Sequence, residues 1–168
     1  MNDISPDKDF IIKRGLIDPY TLSDNPDEWV VLSDFIFWSA RIQDIVIVPR
    51  WMKTDLASIP KIFRSFISVN ERHRLPSLPH DFGYSIAGLS HPRSTWDGIL
   101  KDFCKHQEVP LWKTFTIWGA VRLGGWLIWN KNKDKDVNDM FIPLEHRKWY
   151  KKEFPILKLN TNIPNIRI

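Results

Sequence analysis

The chain has 168 residues, of which 43% are hydrophobic and 26% are charged, and its formal net charge is +4 at pH 7. This length supports one well-buried core but is short for two domains, so we expect a single domain over residues 1–168. The composition excludes wholesale disorder, and because the positive charges form no basic stripe we do not expect nucleic-acid binding.

The chain contains one cysteine, Cys104, which excludes an internal disulfide and a disulfide-stapled secreted scaffold. Cys104 lies in an amphipathic stretch, where we expect a buried small side chain rather than a nucleophile. Residues 1–7 lack the features of a signal peptide, and no segment has the ~18 uncharged apolar residues of a membrane span. We therefore expect a soluble product without a membrane span, and contact with a membrane surface stays open.

The first part of the chain has strand-like patterning. Residues 1–28 carry prolines among Asp and Asn and predict an irregular arm with one short strand at residues 10–12. Three β-branched and aromatic runs then follow, separated by polar turns: residues 29–32, 35–38 and 45–48. Runs of this kind are typical of an antiparallel meander.

The second part has helical patterning. Apolar residues recur at helical spacing over residues 96–104, and Pro110 favours the start of the next helix. We expect the glycine pair 124–125 to end or bend that helix before a solvated loop over residues 130–136. Residues 143–150 predict one more short helix. The fold class is therefore α+β, with an N-terminal antiparallel β meander followed by a C-terminal group of α-helices.

The strongest candidate for chemistry is the run Leu-Pro-His-Asp-Phe-Gly-Tyr at residues 78–84. Pro79 is typical of a first helical turn, which predicts His80 and Asp81 at a helix amino terminus with Tyr84 one turn later. An imidazole and a carboxylate there could bind a metal ion or orient a water for general-base attack. The alternative is that His80 is a hydrogen-bonded, partly buried histidine and Asp81 is a first-turn acid favoured by the helix dipole.

Other candidate residues also have structural explanations. Asp97 is the third residue after Ser94 and would close a capping box with it. Thr54 and Asp55 would be caps or turn formers before a short helix that begins near residue 60. The other four histidines fall at no recognisable metal-ligand spacing.

These segments occur in an order that resembles the bacteriophage-associated family known as domain of unknown function 1353. The resemblance covers about residues 29–129 and is carried by Ile47-Val48-Pro49, Thr54-Asp55-Leu56-Ala57-Ser58-Ile59-Pro60, His80 to Tyr84, Arg93 with Trp96-Asp97, and residues 119–125. It implies a phage or prophage gene product, in the host cytoplasm or packaged in the virion, without an established activity.

This chain departs from the family pattern at one turn. A Gly-aromatic pair usually follows the Val-Pro of the family, and here Trp51-Met52 stands instead. The turn before Thr54 is therefore expected to be built differently. The N-terminal arm 1–28 and a C-terminal extension over residues 130–168 lie outside the resemblance.

A narrower resemblance links residues 80–84 to the active-site helix of secreted prokaryotic phospholipases A2. There the histidine is the general base, the next aspartate binds calcium, and a later aspartate orients the histidine. The resemblance implies these roles for His80, Asp81 and Asp97. Calcium prefers oxygen ligands and would polarise an ester carbonyl while the imidazole activates water. This chain lacks the flanking cysteines and the Gly-rich calcium loop of those enzymes.

We therefore expect a metal-dependent hydrolase with a small polar site. His80 and Asp97 are the expected catalytic pair, and Asp81 and Asp55 are the expected ligands of a divalent metal ion, calcium or magnesium. The side chains expected to support the site or contact the substrate are Tyr84, Arg122, Ser58 and Thr54.

The alternative is a non-enzymatic virion component or host-interaction protein, with a virion or host protein as its partner. In this alternative the same residues form a buried polar network that fixes the fold. An enzyme needs His80 and a carboxylate to face one open cleft. The chain has nine tryptophans and ten phenylalanines, and exposure of Trp126 and Trp129 would favour an interaction protein.

Overall fold

The computed structural model describes residues 9–55 and 74–154. In this part of the chain, antiparallel strands precede a group of α-helices, which confirms the predicted α+β class. The strands are β1 (Phe10–Lys13), β2 (Ile17–Pro19), β3 (Trp29–Val31), β4 (Phe35–Ser39), β5 (Asp44–Val48) and β6 (Lys53–Thr54). The helices are α1 (Arg74–Ser85), α2 (Arg93–His106), α3 (Leu111–Asn132) and α4 (Leu144–Glu153), with a short 3-10 helix (Val137–Met140) before α4.

The strands form two small antiparallel sheets, with orders β1-β4-β5 and β2-β3-β6. The three predicted runs are all strands, but β3 pairs with β2 and β6 rather than with β4. The arm is more regular than expected, because it contributes β2 as well as the predicted strand β1. The edge strand β6 of the second sheet carries Thr54, one of the candidate residues named from the sequence.

The main core lies between the first sheet and helices α1 and α2. Alternate residues of β4 are buried, and Phe37 meets Phe103 of α2 edge-to-face at a centroid distance of 4.8 Å. Burying each such ring contributes about 1.5–3 kcal/mol. Trp96 of α2 packs against Gly83 of α1, where an added Cβ would lie 2.0 Å from the indole ring. Glycine at position 83 therefore allows α1 and α2 to approach closely.

A second cluster joins the N-terminal arm to the C-terminal extension. It contains Tyr20, Val30, Leu32, Trp51, Ile142 and Tyr150. The backbone is also joined there, because the Ile142 amide donates to the Trp51 carbonyl at 3.0 Å. Trp51 has a φ of 71°, a conformation that glycine adopts freely and a bulky residue rarely does. Trp51 thus holds a large ring in a backbone conformation typical of glycine, and it packs in the cluster that contains Ile142 and Tyr150.

Helix α1 corrects one prediction. Pro79 lies in the interior of α1 rather than in its first turn, so His80 and Asp81 are not at a helix amino terminus and Asp81 is not a first-turn acid. An interior proline removes one backbone hydrogen bond and costs about 3 kcal/mol. Residues 76–80 are all buried, so their packing offsets this cost.

Helix α3 corrects one of two predicted alternatives, because the glycine pair 124–125 does not end it. It continues through the glycine pair 124–125 to Asn132, so the expected solvated loop begins only after that residue. Each glycine costs about 1 kcal/mol in a helix interior, but an added Cβ at Gly125 would lie 2.3 Å from the Tyr84 hydroxyl. Close packing therefore explains the glycine. The predicted short helix near residue 60 and the C-terminal tail from residue 155 lie outside the described residues. No helix in the described ranges is long and apolar enough to cross a membrane.

Candidate functional site

Three helices bring polar side chains together around Asp97. This residue lies on α2 and is fully buried. Its Oδ1 accepts hydrogen bonds from the Tyr84 hydroxyl at 2.8 Å and from His80 Nε2 at 3.1 Å. Its Oδ2 accepts from Arg122 Nη1 of α3 at 2.9 Å. The buried carboxylate is therefore bonded to side chains from both neighbouring helices.

The capping-box explanation of Asp97 is wrong. Helix α2 already begins at Arg93, after Pro92, and no side chain caps it. Asp97 consequently lies in the second turn and faces the interior. Its hydrogen-bond partners in the structure are the side chains of His80, Tyr84 and Arg122.

One ring nitrogen of His80, Nε2, is hydrogen-bonded to Asp97, whereas the contact made by the other, Nδ1, is longer. Tyr84 follows it by four residues on α1, and the two rings lie 4.2 Å apart. Because the Asp97 carboxylate occupies the Nε2 side, the neutral imidazole carries its hydrogen on Nε2 and its lone pair on Nδ1. Nδ1 lies 3.6 Å from Asp81 Oδ1, which is beyond hydrogen-bond distance. This nitrogen can therefore accept a proton.

The electrostatics of the cluster favour an ionised Asp97. Burial alone would raise the pKa of Asp97, but hydrogen bonds from His80 and Arg122 lower it below its ordinary value. Burial alone would lower the pKa of His80, but Asp81 and Asp97 outweigh burial and raise it. Burial also raises the pKa of Tyr84 well above its ordinary range, with the Asp97 charge adding to the effect. Tyr84 is thus a neutral donor.

Asp81 points toward the second sheet. The Thr54 hydroxyl of β6 donates a short hydrogen bond to Asp81 Oδ2. Thr54 therefore connects the second sheet to α1 through Asp81. Asp55, the next residue, lines the same cavity as Asp81.

A cavity of about 180 Å³ lies beside this cluster. Polar side chains that line it come from β6 and α1, including His80, and residues of α3 also line it. The lining residues are Lys53, Thr54, Asp55, His80, Asp81, Tyr84, Ser85, Ala120, Val121, Gly124, Gly125, Ile128 and Asn132. The structure thus places five of the predicted site residues around one cavity, with Asp97 behind it.

The remaining predicted residues are placed differently. Arg122 bonds to Asp97 and is not among the residues that line this cavity, so its contact is with the buried carboxylate. Ser58 lies outside the described residues. Sequence reasoning gave no role to Lys53, whose position next to Thr54 on β6 was the available signal. It also gave no role to Arg93, which lies four residues before Asp97 and has Nη1 3.6 Å from Asp97 Oδ2.

The described part of the chain does not by itself complete a metal site. No group of three or more His, Cys, Asp or Glu side chains within residues 9–55 and 74–154 is arranged to hold a metal ion. Asp55 and Asp81 are carboxylates on one cavity and could contribute oxygen ligands to calcium or magnesium, which also accept carbonyl groups and water. Metal binding by these two residues stays a prediction.

The other candidate groups are not near this site. Cys104 is buried, and burial raises the pKa of its thiol to about 12, which confirms the prediction of a buried small side chain. His91 and His106 are exposed. His146 shares a short hydrogen bond with the Tyr20 hydroxyl in the second cluster.

The fold and the site define an α+β protein with a buried His–Asp pair beside a cavity. The model of the family described as "Protein of unknown function (DUF1353)" matches residues 29–121, more than half of the chain, so the chain belongs to this family. Comparison with curated proteins gave no significant match. Comparison with solved structures gave none either. The narrower resemblance to phospholipases A2 stays a prediction.

Proposed function

We propose that this chain is a bacteriophage-encoded hydrolase of carboxylic esters, with His80 as general base and Asp97 as the residue that orients it. The observation that carries the proposal is the hydrogen bond between the fully buried Asp97 and His80 Nε2, made while His80 lines a cavity. When one ring nitrogen donates a hydrogen bond to a carboxylate, the other nitrogen can take a proton from a water molecule. The bacteriophage origin is supported by the family resemblance alone.

The proposed reaction uses water as the nucleophile. A water in the cavity attacks the ester carbonyl carbon while His80 Nδ1 takes one of its protons, which gives a tetrahedral intermediate and an imidazolium ion. Asp97 stabilises this imidazolium through Nε2. Lys53 lines the cavity and supplies positive charge for the oxyanion. The carbon–oxygen bond to the alcohol then breaks, and the alcohol leaves with the proton from His80 Nδ1.

Carboxylic esters are favoured over phosphoesters by the charges at the cavity. Phosphoryl transfer relies on several cations around the transferred group. Within residues 9–55 and 74–154, Lys53 is the one Lys or Arg that lines this cavity, whereas Arg122 is bonded to Asp97. A calcium or magnesium ion held by Asp81 and Asp55 would supply further polarisation of the carbonyl when bound.

The test compares ester hydrolysis by the wild type, His80→Gln and the matched control His106→Gln, an exposed histidine on α2. Nitrophenyl esters and glycerophospholipids are the carboxylic ester substrates, and a nitrophenyl phosphodiester is the comparison. Each assay is run with chelator, with calcium and with magnesium. We expect His80→Gln to lower kcat/KM by about 10²–10⁴-fold, the range of general-base catalysis, and His106→Gln to leave it unchanged.

Two results would overturn the proposal. One is an absence of ester hydrolysis by the wild type under all three metal conditions. The other is full activity in a folded His80→Gln variant, because the proton acceptor would then lie elsewhere. Activity that requires an added ion and is lost in Asp81→Asn would support the predicted metal role of Asp81.

A non-enzymatic virion component or host-interaction protein is the second candidate. It is favoured by the complete pairing of Asp97, whose two oxygens are both bonded inside the protein. Trp126 is about half exposed, as an interaction protein would require, but Trp129 is buried against Tyr84. In this case His80→Gln would lower stability without changing any hydrolytic rate.

A further inference from the structure

Helix α3 is apolar on the side that packs against the protein and also on much of its opposite side. Its exposed apolar side chains include Trp112, Phe115, Leu123, Trp126 and Leu127, which lie on one side of the helix and which we call the outer face. Their exposed fractions range from 49% for Phe115 to 81% for Leu123. A helix that is apolar all round is normally covered all round. The outer face is therefore a candidate docking surface.

The charged residues of α3 and of its C-terminal cap all have one sign. Residues 111–133 contain four basic residues and no acidic residue: Lys113, Arg122, Lys131 and Lys133. Helix α2 adds another cation, because Lys101 Nζ lies 4.5 Å from the ring centre of Phe115 and 4.6 Å from that of Trp118. The apolar surface is thus bordered by positive charge, which is complementary to an anionic partner.

We propose that the outer face of α3 docks onto an anionic lipid surface. Exposed tryptophan, phenylalanine and leucine side chains on one side of a helix, with lysine and arginine beside them, suit the boundary between lipid headgroups and acyl chains. Lys101, Lys113, Lys131 and Lys133 would bind lipid phosphates, whereas Arg122 is bonded to Asp97. A second copy of the chain fits less well, because a two-fold interface would place the same basic patch on both subunits.

Residues that follow one another on a helix point about 100° apart, so Gly124 and Ile128, which line the cavity, do not face the same side as Leu123 and Leu127. The docking proposal is therefore independent of the proposed function.

The test is flotation of the full chain with phosphatidylcholine vesicles, prepared with and without added phosphatidylglycerol. The variant is Leu123→Gln/Leu127→Gln. The matched control, Leu89→Gln/Leu144→Gln, changes two leucines outside α3 that are similarly exposed, at 59% and 67%. We expect binding to the anionic vesicles that weakens at high salt, a loss of about tenfold or more in the outer-face variant, and less than about a twofold change in the control.

Further variants separate docking from catalysis. We expect His80→Gln to bind vesicles as the wild type does, so failure of the hydrolase proposal would leave the docking proposal standing. The proposal is overturned if the wild type does not float with anionic vesicles, or if Leu123→Gln/Leu127→Gln binds as well as the wild type. It is also overturned if ultracentrifugation shows a dimer without vesicle binding and the outer-face variant is monomeric.

Discussion

At the scale of single residues, Asp97 is the position where we expect a change of charge to lower stability most. It is a fully buried carboxylate whose partners are an imidazole, a phenol and a guanidinium from two other helices. A buried ion pair gives limited net stability compared with apolar packing, but removing one member leaves the other charge uncompensated. The position is therefore sensitive to a change of charge even when side-chain volume is kept.

We expect Asp97→Asn to destabilise the protein by about 3–5 kcal/mol, because His80 and Arg122 lose their shared anion. The matched control is Asp102→Asn, also on α2. Asp102 pairs with Arg41 at 2.5 Å, but both side chains are partly exposed, so we expect a cost of about 1 kcal/mol or less. Urea unfolding gives the free energy of unfolding of both variants. Equal losses of stability would show that the pairing of Asp97 contributes no more than that of a surface acid.

At the scale of elements, small residues decide how closely the helices pack. Gly83 accommodates Trp96 between α1 and α2, and Gly125 accommodates Tyr84 between α1 and α3. The second contact is part of the site, since the Tyr84 hydroxyl bonds to Asp97. Helix packing and site geometry are therefore coupled through Gly125.

We expect Gly125→Ala to destabilise the protein by about 1–3 kcal/mol despite the higher helix propensity of alanine. The added methyl would lie 2.3 Å from the Tyr84 hydroxyl. Gly119→Ala is the control on the same helix, where nothing lies within 4 Å of the added Cβ. That change should stabilise by up to about 1 kcal/mol.

The contact with Tyr84 can be tested directly in a double-mutant cycle. In the Tyr84→Phe background the hydroxyl is absent, so the cost of Gly125→Ala should fall. An unchanged cost would mean that Tyr84 is not the source of the clash.

Local sequence signals predicted the elements better than their pairings. The strand runs, the α+β class and the four-residue spacing of His80 and Tyr84 could all be read from the chain, because they depend on neighbours in sequence. Proline and glycine signals failed at Pro79 and Gly125, where buried packing outweighs helix propensity. The division into two sheets depends on pairing between distant segments, which local patterns do not encode.

The site was predictable to the extent that motif residues defined it. The pairing of Asp97 with His80 could be predicted only from the resemblance to phospholipases A2. Seventeen residues separate the two side chains, and the local pattern around Asp97 indicated a helix cap. Lys53 and the small residues of α3 carried no chemical signal of their own. They belong to the site because of the position of β6 and α3 in the fold.

At the scale of the whole molecule, the network couples folding to pH. The side chains next to His80 are those of Asp81, Asp97 and Tyr84. Arg122 and Arg93 act on His80 indirectly, because both pair with Asp97. The pKa of His80 is raised above its ordinary value of 6.5, so its contribution to stability is fully present below that pH and is lost as pH rises through the raised pKa. The pKa of Asp97 is lowered below 3.8, so its contribution is present above that pH and is lost as pH falls through the lowered pKa.

We therefore expect the free-energy difference of unfolding between wild type and His80→Gln to be larger near about pH 5.5 than near about pH 8.5. Urea unfolding of both proteins at the two pH values gives this difference, and titrating groups common to both cancel. A difference that stays constant with pH would show that His80 is neutral throughout. A difference that grows with pH would mean that burial outweighs the two carboxylates, and the imidazolium would then be too poorly stabilised for the proposed proton transfer.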